Sequence, residues 1–158
     1  MPEFTRDEMP TSISVRVRDI KFKLSRDVIA TFFGISTPAQ VSALTPYWQH
    51  NYDAVASTLC GKPMKWEKAT LRQSDLTSEF RLLHLIFLQN IDQFEHKSEV
   101  TKDRGYWMEK ISRGSNVDVN AIIFERILTS RFRSKACLPY GSLLTSLIQS
   151  QGVTPRNL

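Results

Sequence analysis

Two cysteines and three histidines are all that this chain of 158 residues offers toward thiol or soft-metal chemistry. Cys60 and Cys137 stand far apart, with no C-x-x-C and no histidine at zinc-ligand spacing. That excludes a zinc knuckle and makes two free buried thiols in a reducing compartment the expectation. Long hydrophobic stretches are missing as well. The longest apolar run, Leu82 to Leu88, is broken by His84 and falls far short of the roughly 20 residues that span a bilayer. The opening MPEFTRDEMP has neither the basic start nor the apolar run of a secretory leader, so a soluble intracellular protein, cytoplasmic or nuclear, is expected.

Catalytic signatures are missing too. No phosphate-cradling G-x-x-x-x-G-K-S/T, no G-x-S-x-G elbow and no D-S-G or D-T-G protease loop occurs. Asp53, Asp75, Asp92, Asp103 and Asp118 fall at helix starts or in connectors, where capping accounts for them, rather than on a sheet that could hold two metal ions. His50, His84 and His96 have no partners at ligand spacing. Cys60 sits on an apolar helix face, which leaves a Cys60 nucleophile with His84 or His96 as base without local support. The reading is therefore no catalytic residue, no metal and no cofactor.

Hydrophobic residues at 41% and charged residues at 23% describe an ordinary globular chain, and the length fits one domain. Residues 1–11 read as a flexible N-terminus, 12–153 as a single domain and 154–158 as a tail. The balance is basic, with net charge +5 and pI about 9.4, which suits phosphate backbones or other acidic partners.

Periodicity predicts a mainly α fold of about six helices around a central apolar helix, preceded by a small β-hairpin. From Ser14 to Ser25, Val15, Val17, Ile20, Phe22 and Leu24 alternate with Arg16, Arg18, Lys21 and Lys23, with a reversal at Arg18-Asp19. The basic side reads first as a solvated face and second as a phosphate-contacting ribbon. Ser25 caps a short helix that ends at Gly34. Thr45-Pro46 starts a second helix, through Trp48, Tyr52, Val55, Ala56 and Leu59 to Gly61, whose aromatic stripe suits core better than base stacking. Residues 62–73 read as an extended connector pinned by Trp66. Thr77 to Ile91 is the central helix, apolar around nearly its whole circumference and so expected to have neighbours on several sides. Within it His84 reads as a core histidine bonded to a backbone carbonyl. Ser98 and Glu99 open the next helix, which carries Val100, Trp107, Met108 and Ile111 and stops at Gly114. Asp118 caps a fifth helix, which ends in the basic cluster Arg131, Arg133 and Lys135. A last helix follows Pro139 and stops at Gly152.

With those residues in place, the chain resembles the domain family named putative plant transposon protein, found in retroelement-derived genes of plants. The resemblance runs from about Ser12 to Val153. It is strongest over Leu76, Thr77 and Glu79, then His84, then His96, Ser98, Glu99, Val100, Thr101, Lys102 and Arg104, which follow the family's L-T-P-E, W-H-Y-F and S-H-V-S-E-V-T-K-E-R pattern without a gap. Asp19 stands where the family has Gly, Ser78 where it has Pro and Leu83 where it has Trp, and residues 91–93 replace a Leu-Leu-Pro run. Glu3 and Phe4 match the end of a preceding helical segment, as though the chain started inside the domain. The resemblance implies a non-enzymatic, retroelement-derived structural or interaction domain, gag-like in self-association or nucleic-acid packaging. A DNA-binding module of a transposition protein and an inert fragment are the alternatives. Arg16, Arg18, Lys21, Lys23, Arg131, Arg133 and Lys135 are the candidate nucleic-acid contacts. No membrane partner and no small-molecule substrate are expected.

Overall fold

The computed structural model describes residues 10–37, 50–92, 98–130 and 140–154. The chain forms two compact units, one from residues 1–37 and 123–158, the other from residues 38–122. The described residues form six α-helices and two small antiparallel sheets, the mainly α class that periodicity predicts. No helix among them is long and apolar enough to cross a membrane.

In the first unit, β1 (Ser12–Val17) pairs with β2 (Ile20–Ser25), with Val17 opposite Ile20 and Ile13 opposite Leu24. The apolar residues face inward and the polar ones outward, as the period of two requires. Asp19 does not prevent the two-residue turn. The positive φ, 56°, falls on Arg18, whose guanidinium donates to the Thr154 carbonyl while its own carbonyl accepts from Arg16 Nε at 3.2 Å. Helix α1 (Arg26–Phe33) starts where Ser25 Oγ accepts from the Val28 amide at 3.2 Å, and it stops at Gly34. Leu24, Ile29, Leu144, Leu147 and Val153 are buried in this unit.

The second unit has a core of Val55, Leu59, Trp66, Phe87, Val100 and Met108 among others. Helix α2 (Tyr52–Cys60) is capped by Asn51, whose Oδ1 accepts from the Ala54 amide at 3.1 Å. The start expected at Thr45-Pro46, with Trp48, lies outside the described residues; the described helix begins at Tyr52. The connector is more ordered than its lack of period suggests. Asp53 Oδ1 accepts from the Trp66 amide at 2.7 Å and Ser57 Oγ from the Met64 amide at 3.0 Å, tying the connector to α2. It then forms β3 (Thr70–Arg72) and a 3₁₀ turn, Gln73–Asp75.

Helix α3 (Ser78–Asn90) begins after Thr77, as expected, but its burial is one-sided. His84, Phe87 and Leu88 are buried, whereas Leu82, Leu85 and Ile86 face solvent, so neighbours on several sides are not found among the described residues. The following element corrects the sequence reading. Glu99–Thr101 is a strand, β4, with Val100 opposite Leu71 of β3, and it does not open a helix. Helix α4 (Lys102–Ser112) starts one cap later, where Thr101 Oγ1 accepts from the Arg104 amide at 3.4 Å. Helix α5 (Val119–Ser130) is capped by Asp118, which accepts from the Ala121 amide at 2.9 Å. Helix α6 (Gly141–Ser150) ends before Gly152.

Candidate nucleic-acid interface

The pleat of the hairpin places Arg16, Lys21 and Lys23 on one exposed face. Arg16 stands directly opposite Lys21, and Ser14 opposite Lys23. Directly opposed side chains have Cβ atoms about 5 Å apart, and like charges so placed repel. None of the three takes part in an ion pair among the described residues. Among the described residues Arg16 is engaged only locally, through the Nε bond to the Arg18 carbonyl. Arg18 occupies the turn, where the sequence places the reversal, and its guanidinium donates to the Thr154 carbonyl. Arg131, Arg133 and Lys135 lie outside the described residues, as do His96 and Cys137.

A second constellation was not visible in the sequence reading. Arg104, on α4, is 1% exposed, and Asp92 and His84 are fully buried. Arg104 Nε and Nη2 donate to one Asp92 oxygen at 3.0 and 2.9 Å, and Nη1 donates to His84 Nε2 and to the Glu99 carbonyl, both at 3.1 Å. A guanidinium can only donate, so His84 Nε2 must accept and its proton sits on Nδ1, which has no hydrogen-bond partner among the described residues. Burial and then the Arg104 charge hold the His84 pKa down at about 4; the nearby Glu99 carbonyl and Asp92 carboxylate pull the other way. His84 is thus a core histidine as expected, bound to Arg104 with the Glu99 carbonyl beside it. Asp92 is a buried counter-ion rather than a connector residue. All three are buried, and the arrangement joins α3, β4 and α4.

The other candidates resolve as core. Tyr52 packs edge-on to Trp66, with ring centroids 5.7 Å apart, and is half-buried against the apolar cluster, with the Lys102 ammonium 5.1 Å from its ring. Cys60 is buried, and that burial, more than the nearby Asp75, raises its thiol pKa, the opposite of an activated nucleophile.

The signal for the buried ion pair was present in principle. Arg104 falls on the stripe of Val100, Trp107, Met108 and Ile111, so a charge sits where α4 should be apolar, and such a charge requires a partner.

A family model described as putative plant retrotransposon-related domain matches residues 1–154. No curated protein and no solved structure matches the chain.

Proposed function

Because the chain belongs to the family of putative plant retrotransposon-related domains, we propose that it is a non-enzymatic interaction domain of retroelement origin, gag-like, that works inside the cell and packages nucleic acid through its hairpin. The observation that supports this reading is the exposed Arg16–Lys21 pair with Lys23 beside it. Like charges facing each other across a ladder destabilise it by a few tenths of a kcal/mol to about 1 kcal/mol. Phosphates laid along that face would relieve the repulsion and release condensed counterions. Among the described residues the face of Ser14, Arg16, Lys21 and Lys23 holds no carboxylate, so it suits a phosphate backbone rather than a base edge, and binding without sequence preference follows.

Fluorescence anisotropy with a labelled 20-base-pair duplex and a single-stranded RNA of the same length, at low salt, tests the proposal. The triple variant Arg16→Glu, Lys21→Glu, Lys23→Glu should lose at least about tenfold in affinity for both. Unchanged affinity in that variant, or no binding by the wild-type chain at low salt, would refute it. Selective binding of one duplex sequence would instead favour a DNA-binding module of a transposition protein.

A further inference from the structure

The three cations of the hairpin face are not held alike. Arg16, Lys21 and Lys23 are all exposed, but among the described residues only Arg16 has its charged group fixed by a bond to the fold. Arg16 Nε donates to the Arg18 carbonyl at 3.2 Å, which takes up one edge of the guanidinium and leaves Nη1 and Nη2 open. A phosphate can then be met end-on, with that pair donating two parallel bonds to two oxygens of one group. Asp19, the carboxylate of the turn, makes no ion pair with Arg16 among the described residues.

The acceptor that aims Arg16 is itself held. Arg18 is the first of the two turn residues and has a φ of 56°, a conformation that favours glycine. A long side chain at such a position persists where its surroundings hold it there. Here its guanidinium donates to the carbonyl of Thr154, 136 residues away in sequence. Thr154 is anchored in turn. Val153 beside it is buried, and a Cβ on Gly152 would lie 3.9 Å from Ile20 Cδ1, so this segment runs against the start of β2. The tip of the hairpin is thereby tied at its outer end, and the Arg18 carbonyl does not swing with the turn.

We infer that Arg16 is a pre-aimed fork for a single phosphodiester group, taken through Nη1 and Nη2, and that Arg18 is the positioning residue that aims it. The inference rests on the phosphate-binding reading above and divides the labour on that face. Arg16 gives direction, whereas Lys21 and Lys23 give charge. Arg18, turned toward Thr154, neutralises no phosphate. A fork fixed before binding loses less freedom when it binds, which is worth roughly fivefold in affinity for one long side chain.

The same anisotropy measurement with the labelled duplex, repeated over a range of salt concentrations, tests the inference. Arg16→Lys keeps the charge and removes the fork, so affinity should fall about fivefold while the slope of log affinity against log salt stays as in the wild type. Arg18→Gly suits the positive φ and removes the tether; affinity should fall to a similar degree, again with the slope unchanged. The double variant should bind as Arg16→Lys does, because Arg18 acts through Arg16 and the two losses do not add. Both positions are exposed, so circular dichroism should match the wild type in all three variants. Wild-type affinity in Arg16→Lys overturns the fork. A slope flattened by about 0.9 in Arg18→Gly overturns the positioning role by making Arg18 a phosphate contact, and additive losses in the double variant overturn it as well. The two proposals fail separately: a wild-type chain that does not bind the duplex at low salt sinks the phosphate-binding reading itself, whereas loss of binding in the triple glutamate variant with wild-type affinity in Arg16→Lys sinks this inference alone.

Discussion

Arg104 shows how one residue can set the character of a core. Its guanidinium is fully buried and satisfied by Asp92, His84 and the Glu99 carbonyl. A buried ion pair is weak support for stability in itself, since desolvation offsets most of the attraction, but breaking one side leaves a buried charge alone. Arg104→Met should therefore cost about 3–5 kcal/mol in urea denaturation, and adding Asp92→Asn to it should recover part of that loss. His84 gives the network a pH dependence. Its pKa lies below the usual histidine value, at about 4, so between that value and 6.5 the unfolded chain binds more protons than the folded one. The stabilisation is complete above pH 6.5 and is lost as pH falls toward 4. The shift corresponds to roughly 3 kcal/mol at most. Denaturation midpoints measured from pH 7 to pH 4 should fall on that slope, and His84→Gln, which still offers Arg104 an acceptor, should flatten it. Gly105, the next residue on α4, acts through absence. A Cβ there would meet Trp66 Cη2 at 2.6 Å and Leu59 Cδ1 at 3.2 Å. Gly105→Ala should thus destabilise by about 1–2 kcal/mol, because overpacking outweighs the gain of about 1 kcal/mol in helix propensity.

At the scale of elements, the hairpin carries a prediction whose two readouts move in opposite directions. Lys21→Glu places a carboxylate opposite Arg16 and replaces repulsion with attraction. Thermal unfolding should show a gain of roughly 0.5 kcal/mol, while duplex affinity falls. A merely solvated face would show the gain alone. Elements also show what was legible in the sequence. The hairpin and α1 follow directly from a period of two, a capping serine and a terminal glycine. Most of the helices likewise follow from caps and stops. The segment from Ser98 to Arg104 holds two cap signals in succession, Ser98-Glu99 and Thr101-Lys102-Asp103, and its local sequence does not rank them. Only pairing with β3 selects the second, by drawing residues 99–101 into a strand too short to show a period. The strand partner lies in a connector whose order comes from Asp53 and Ser57 on α2, contacts without any sequence periodicity. The ion pair was hidden for a related reason. The stripe on α4 announced that Arg104 needed an anion, but nothing local selects Asp92 over Glu79 or Asp103. The circumference of α3 misled in the opposite sense, since Leu82, Leu85 and Ile86 imply a neighbour without saying whether it belongs to the same chain.

For the molecule as a whole, the question is whether nucleic-acid binding would come from one face or from net charge. Both rest on arginine and lysine, and the net charge of +5 alone would draw the chain to any polyanion. Counterion release separates the two, because the slope of log affinity against log salt counts the phosphates neutralised. If Arg16, Lys21 and Lys23 make the contacts, the slope on duplex DNA should be about −2.7; contact spread over the full net charge would steepen it to about −4.5. Removing one hairpin cation should then flatten the slope by about 0.9, whereas removing an exposed lysine from the second unit, such as Lys65 or Lys68, should leave it unchanged. Equal effects from both substitutions would remove the hairpin from its special role and make the basic composition, rather than the folded face, the agent of binding.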